Sequence, residues 1–134
     1  MPVTTEIRVN RDQGYLLLRH SGVLTTAIIK AARRQTQPIY KLEKINRVLV
    51  DYRQADLRRL SLLELDNLAS DFAKDLPDCR FMALIHAPDS DITRLSHIKN
   101  VCFLGGVLTE LFDNIALAEN WLSQPEPLSH SLTG

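Results

Sequence analysis

The sequence predicts an α/β domain: a mixed, mostly parallel five-stranded sheet with helices, in the order β-β-α-β-α-β-α-β-α. Three observations predict it. The hydrophobic period switches several times between two and 3.6 along the chain. Asp12-Gln13-Gly14, a tight-turn cluster, separates the first two strand-like runs and makes them an antiparallel hairpin. Each later strand-like run is followed by a helical pattern, so the remaining connections are crossovers between parallel strands.

Taken in order, Ile7-Arg8-Val9 alternates and Tyr15-Leu16-Leu17-Leu18-Arg19-His20 follows as the second strand. Gly22-Val23-Leu24 leads to Thr25 or Thr26 as a helix N-cap, with Ile28, Ile29 and Ala32 on the apolar face. Pro38 is expected to interrupt that helix, or to start a second short piece carrying Ile39, Tyr40 and Leu42. In Asn46–Asp51 the continuous Val48-Leu49-Val50 reads as a strand buried on both faces.

The next helix has the fullest pattern. Leu65, Leu68, Ala69, Phe72, Ala73 and Leu76 form one stripe, Ser61 and Glu64 make a capping box at its start, and Pro77 ends it. Arg80–His86 is a buried strand. Ser90 or Asp91 is expected to cap a helix bearing Ile92, Leu95, Ile98 and Cys102, which Gly105-Gly106 stops. Val107–Phe112, less hydrophobic, is expected near a sheet edge. Asp113 or Asn114 caps a last helix with Ile115, Ala118, Trp121 and Leu122 aligned. One domain over residues 1–122 and a flexible tail over 123–134 complete the reading.

Composition bounds the function. The 134 residues are 45% hydrophobic and 24% charged, enough for one core. Sixteen Lys plus Arg balance sixteen Asp plus Glu, which argues against a nucleic-acid partner. The longest apolar run, Phe81–Ile85, cannot span a bilayer, and the first residues resemble no secretory signal. Two cysteines, Cys79 and Cys102, are too few for a disulfide framework, so a reduced, cytoplasmic protein is expected.

The element order, the Val48-Leu49-Val50-Asp51 strand leading to a serine-capped helix, and the C-terminal Ile115–Leu122 segment together resemble the anti-anti-sigma-factor (STAS) family. The likeness spans about residues 5 to 122 and is greatest to the bacterial SpoIIAA-like proteins of undefined role, whose fold is also likened to the CRAL-TRIO lipid-binding domain. It implies a SpoIIAA-like (STAS-like) fold and a regulatory or protein-binding role. In classical members a serine in an Asp-Ser-Ser/Thr-Gly motif is phosphorylated. The matching positions are Arg59, Leu60, Ser61 and Leu62, so the serine is kept while the Asp and Gly are lost. Ser61 is thus a possible phosphorylation site, although its pairing with Glu64 already accounts for it as a helix cap.

Ligands of parallel sheets gather beyond the carboxyl ends of the strands. Asp51 and His86 are the candidates there. Asp51 lacks the acidic pair and the lysine that a phospho-acceptor aspartate needs, so accepting loop N–H bonds or pairing with Arg53 suits it better. His86, Asp89 and Asp91 match no metal-ligand spacing, and no metal or other cofactor is expected. Ser61, His86 and Asp51 lack the nucleophile elbow of a hydrolase. No enzyme is expected.

Arg53–Arg59 concentrates positive charge, and Leu57, Leu60, Leu62 and Leu63 exceed what one helix face can hide. The expected binding surface is therefore Arg53, Arg58, Arg59, Ser61 and Leu62, serving a protein partner within Asp51–Glu64. A homodimer is possible, and the alternative is a carrier or sensor of a small apolar or anionic ligand such as a lipid.

Overall fold

Residues 3–125 are described by the computed structural model of the protein; of the expected tail over 123–134, the part from residue 126 onward lies outside them. The elements are β1 (Thr4–Asn10), β2 (Tyr15–Val23), α1 (Thr26–Glu43), β3 (Arg47–Asp56), α2 (Leu62–Asp75), β4 (Phe81–Ile85), α3 (Thr93–Leu104), β5 (Leu108–Phe112) and α4 (Ile115–Leu122). Their order is the expected one. The strands lie side by side as β1-β2-β3-β4-β5, with β1 antiparallel to β2 and every other pair parallel.

That spatial order dictates the layers. The three crossovers all step in the same direction, so right-handed connections require α1, α2 and α3 to share one face. On that face Leu16, Val48, Val50, Met82 and Leu84 pack with Tyr40, Ala69, Phe72, Leu95 and Cys102. α4 follows the last strand and is free of the crossover rule. It covers the other face, where Leu49, Ala83, Ile85 and Phe112 meet Ala118, Trp121 and Leu122. Val48-Leu49-Val50 is accordingly buried on both sides, and β5 is an edge strand, as its composition implied.

Four local expectations are corrected. Pro38 does not interrupt its helix: α1 is continuous from Thr26 to Glu43. Pro38 lies on the exposed side with Arg34, whose carbonyl it leaves without an N–H, while Thr36 and Tyr40 are buried opposite. The missing bond thus falls where water can replace it. β2 runs on past His20, through an irregularity between Arg19 and Ser21, to Val23.

That extension gives Gln54, Ala55 and Asp56 partners in Ser21, Gly22 and Val23, so β3 also runs on. Asp51 is consequently an interior strand residue, and of the two candidates only His86 directly follows a strand end. Finally, the residue at the N-cap of α3 is Ile92, without a side-chain cap. Asp91 instead accepts the Thr93 N–H (2.9 Å) and hydroxyl (2.6 Å), and Ser90 donates to the Ala87 carbonyl (2.8 Å). Among the described residues no helix is long and apolar enough to cross a membrane.

Candidate functional site

Beyond the carboxyl ends of β3 and β4 the chain encloses an open cleft of about 380 Å³. β3 and the loop after it contribute Arg53, Asp56 and Arg58; the loop after β4 contributes His86 and Asp91; the first turn of α3 contributes Arg94. The cleft brings together Arg53 and Arg58, two of the sequence-predicted binding residues, with His86. Asp51 is not in its lining.

Two identical devices shape the wall that β3 and its following loop give the cleft. Asp51 Oδ1 accepts the backbone N–H and Nε of Arg53 (both 3.0 Å), and its Oδ2 accepts Nη2 (2.8 Å). Five residues on, Asp56 Oδ1 accepts the backbone N–H (2.9 Å) and Nε (3.0 Å) of Arg58, and Oδ2 accepts Nη2 (2.9 Å). An Asp-x-Arg sequence permits this because a short carboxylate reaches the amide two residues on while the arginine fork folds back onto it.

Burial alone would push the Asp51 carboxyl up, but the Arg53 side-chain and backbone bonds and Arg19 Nε (3.1 Å) more than offset it, leaving it below the usual range. Asp56 is pulled down to about 2, first by the Arg58 fork and then by its backbone N–H. Both carboxylates are therefore ionised and engaged, which suits them to holding arginines in place and not to moving protons.

Arg94 was invisible to sequence reasoning. Its guanidinium donates to the carbonyls of Leu60 and Arg58 (both 3.4 Å), fastening the loop before α2 onto α3. Those partners lie 34 and 36 residues away, and no local pattern announces them. Arg59 is exposed and makes no hydrogen bond or ion pair among the described residues.

Ser61 caps α2. Its Oγ accepts the Glu64 N–H (3.1 Å), Glu64 Oε1 accepts the Ser61 N–H (3.1 Å), and Thr26 Oγ1 donates to Glu64 Oε2 (3.0 Å), tying α2 to the start of α1. The four leucines of this region divide evenly. Leu60 is buried with Leu24, Ile29, Leu65 and Leu68, and Leu57 packs against them. Leu62 and Leu63 remain 56% and 68% exposed.

A second space, about 50 Å³, lies under α1, α2 and α3 and is mostly apolar. His20 lines it, stacked on Tyr52 with ring centroids 5.7 Å apart, its Nδ1 3.1 Å from Thr5 Oγ1. Burial holds the imidazole down at about 4 and pushes the Tyr52 phenol up to about 12. Among the described residues no three His, Cys, Asp or Glu side chains gather as a metal shell would require.

A hairpin leading into three same-handed crossovers, with one helix behind the sheet, is a SpoIIAA-like α/β architecture. The chain is similar to the crystal structure of an uncharacterised protein of the DUF3478 family with a SpoIIAA-like fold from Shewanella loihica PV-4. The two are 18% identical with a TM-score of 0.54, covering 90% of this chain and 93% of that one. The likeness establishes the fold that the sequence resemblance implied. No family model matches the sequence, and no curated protein matches it.

Proposed function

We propose that the protein is a non-enzymatic regulatory module that binds an acidic segment of a partner protein at the cleft beyond β3 and β4. One observation carries the reading: Arg53, Arg58 and Arg94 converge there, while the exposed Arg59, Leu62 and Leu63 continue the surface along the chain. Exposed leucines bordered by arginines give this surface the apolar centre and polar rim of a protein interface. The Asp51 and Asp56 clamps set Arg53 and Arg58 in advance, so little side-chain ordering is left for the binding step. The same clamps argue against a proton-transfer role for Asp51 and Asp56, whose carboxylates are each engaged by an arginine.

Carriage of a small apolar ligand is the rival reading, and size weighs against it. The interior space of about 50 Å³ is a fraction of the roughly 150 Å³ that a benzene-binding cavity needs. The test is a pull-down from native lysate with wild-type bait and with Arg58→Glu/Arg59→Glu bait of equal melting temperature. Loss of specific prey from the variant, and from the wild type at raised salt, is expected. Identical prey lists from both baits would overturn the proposal, as would a stoichiometric lipid released by solvent extraction of the native protein.

A further inference from the structure

The outer edge of β1 is unpaired among the described residues, since β1 bonds only to β2. An open edge is a template for another strand, and the sequence of this one specifies which. Thr4–Asn10 is centred on Ile7, with Glu6 on one side and Arg8 on the other. We propose that two copies of the chain pair through β1, antiparallel, about a two-fold axis at Ile7, joining their sheets into one. This rests on the strand alone and not on the cleft.

In that register Ile7 faces itself, Glu6 faces the second copy's Arg8, Thr5 faces Val9 and Thr4 faces Asn10. Every charge meets its opposite and all seven residues are paired. An axis at Glu6 would set two carboxylates directly opposite each other, and one at Arg8 two guanidinium groups, which cross-strand pairing penalises. Self-complementarity thus selects both the partner and the register.

The rest of the sheet leads up to the same contact. Asp51 and Arg19 are register partners joined at 3.1 Å, and Arg19 and Glu6 are register partners with an ion contact at 3.8 Å. This row of alternating charge stops at Glu6, at the open edge. Glu6 Oε2 is buried and accepts no hydrogen bond, although Arg8 Nε stands 2.5 Å away in ion contact. Glu6 already holds its own Arg8 in this way, and the second copy's Arg8, facing Glu6 across the seam, would extend the row by one cation. On the other face Ile7 and Val9 are half-buried at the margin of the core, and their copies would complete the cover. Arg11, in the hairpin turn, is already engaged by Glu43 (2.6 and 3.1 Å) and does not compete.

A strand-to-strand interface is small, so the dimer forms and dissociates with concentration. Sedimentation across the micromolar range is expected to show reversible dimerisation of the wild type. Glu6→Arg alone and Arg8→Glu alone, each checked for native circular dichroism, should weaken association about tenfold or more, since either reversal sets like charges opposite at two places. Their equimolar mixture should regain it, because one copy then presents two cations and the other two anions. Glu6→Gln and Arg8→Gln provide a milder weakening where a reversal disturbs the strand. A wild type that stays monomeric, a dimer unmoved by these variants, or a mixture of the reversed proteins that fails to associate would each overturn the proposal.

Discussion

The guanidinium of Arg33 lies over the ring of Phe72, 5.1 Å from its centroid, while its Nη1 donates to Asp75 at 3.0 Å. Phe72 therefore fills the core below and supports a cation above. Phe72→Ala should lower the unfolding free energy by about 3–5 kcal/mol, the range for emptying an aromatic core position. Urea unfolding measures it. The void joins a space already present beside Phe72, so collapse should relieve little of the cost.

The capping box at Ser61 gives a second expectation. Ser61→Ala should cost about 1 kcal/mol by leaving the Glu64 amide without its acceptor. Ser61→Asp should be nearly neutral, because aspartate also caps and its charge suits a helix N-terminus. Thermal melts of the two variants test the pair. Phosphate found on Ser61 in protein from its native cell would show that capping is not its whole role.

Pro38 is a place where the protein can be improved. Pro38→Ala restores an N–H to the Arg34 carbonyl in the middle of a continuous helix, recovering part of the roughly 3 kcal/mol a mid-helix proline costs. The freer unfolded chain returns about 0.4–1 kcal/mol of that. A net gain of up to about 2 kcal/mol should appear as a higher urea midpoint with unchanged slope.

Burial of neutral His20 makes stability depend on pH. The unfolded chain takes up a proton near pH 6.5, whereas the folded protein resists until about 4. Between those values the unfolded state binds more protons, so stability falls as pH drops through that window and is unaffected by this group above it. The full loss is about 3 kcal/mol. His20→Phe keeps a ring against Tyr52 and removes this titration, so its stability should be nearly level between pH 6.5 and about 5, below which carboxylates such as Asp51 and Asp56 add their own fall in both proteins. A wild-type profile no steeper than the variant's between pH 6.5 and about 5 would contradict this.

Much of the fold was legible because its strongest elements are locally determined. The α2 stripe, the Ser61–Glu64 box and Val48-Leu49-Val50 each carry within a few residues the pattern that the core demands. What was not legible depends on partners distant in sequence. Gln54–Asp56 carry no strand pattern of their own and are extended because Ser21–Val23 lie alongside them. Pro38 is tolerated because its side of α1 faces water, which only the packing of Thr36 and Tyr40 decides. The candidate site divided in the same way. The loop arginines stood out as a local charge cluster, whereas Arg94 joins them across the α2–α3 boundary.

The asymmetry of the two layers has an optical consequence. Trp121, the chain's only tryptophan, belongs to α4, its ring 5.8 Å from Phe112, while Tyr40 and Tyr52 lie under the three-helix layer. Indole emission thus watches one side of the sheet alone. If α4 lifts away before the thicker layer melts, the fluorescence maximum will move to the red while far-ultraviolet ellipticity is still largely native. Superimposed traces would mean that a single eight-residue helix is held as firmly as the three that face it.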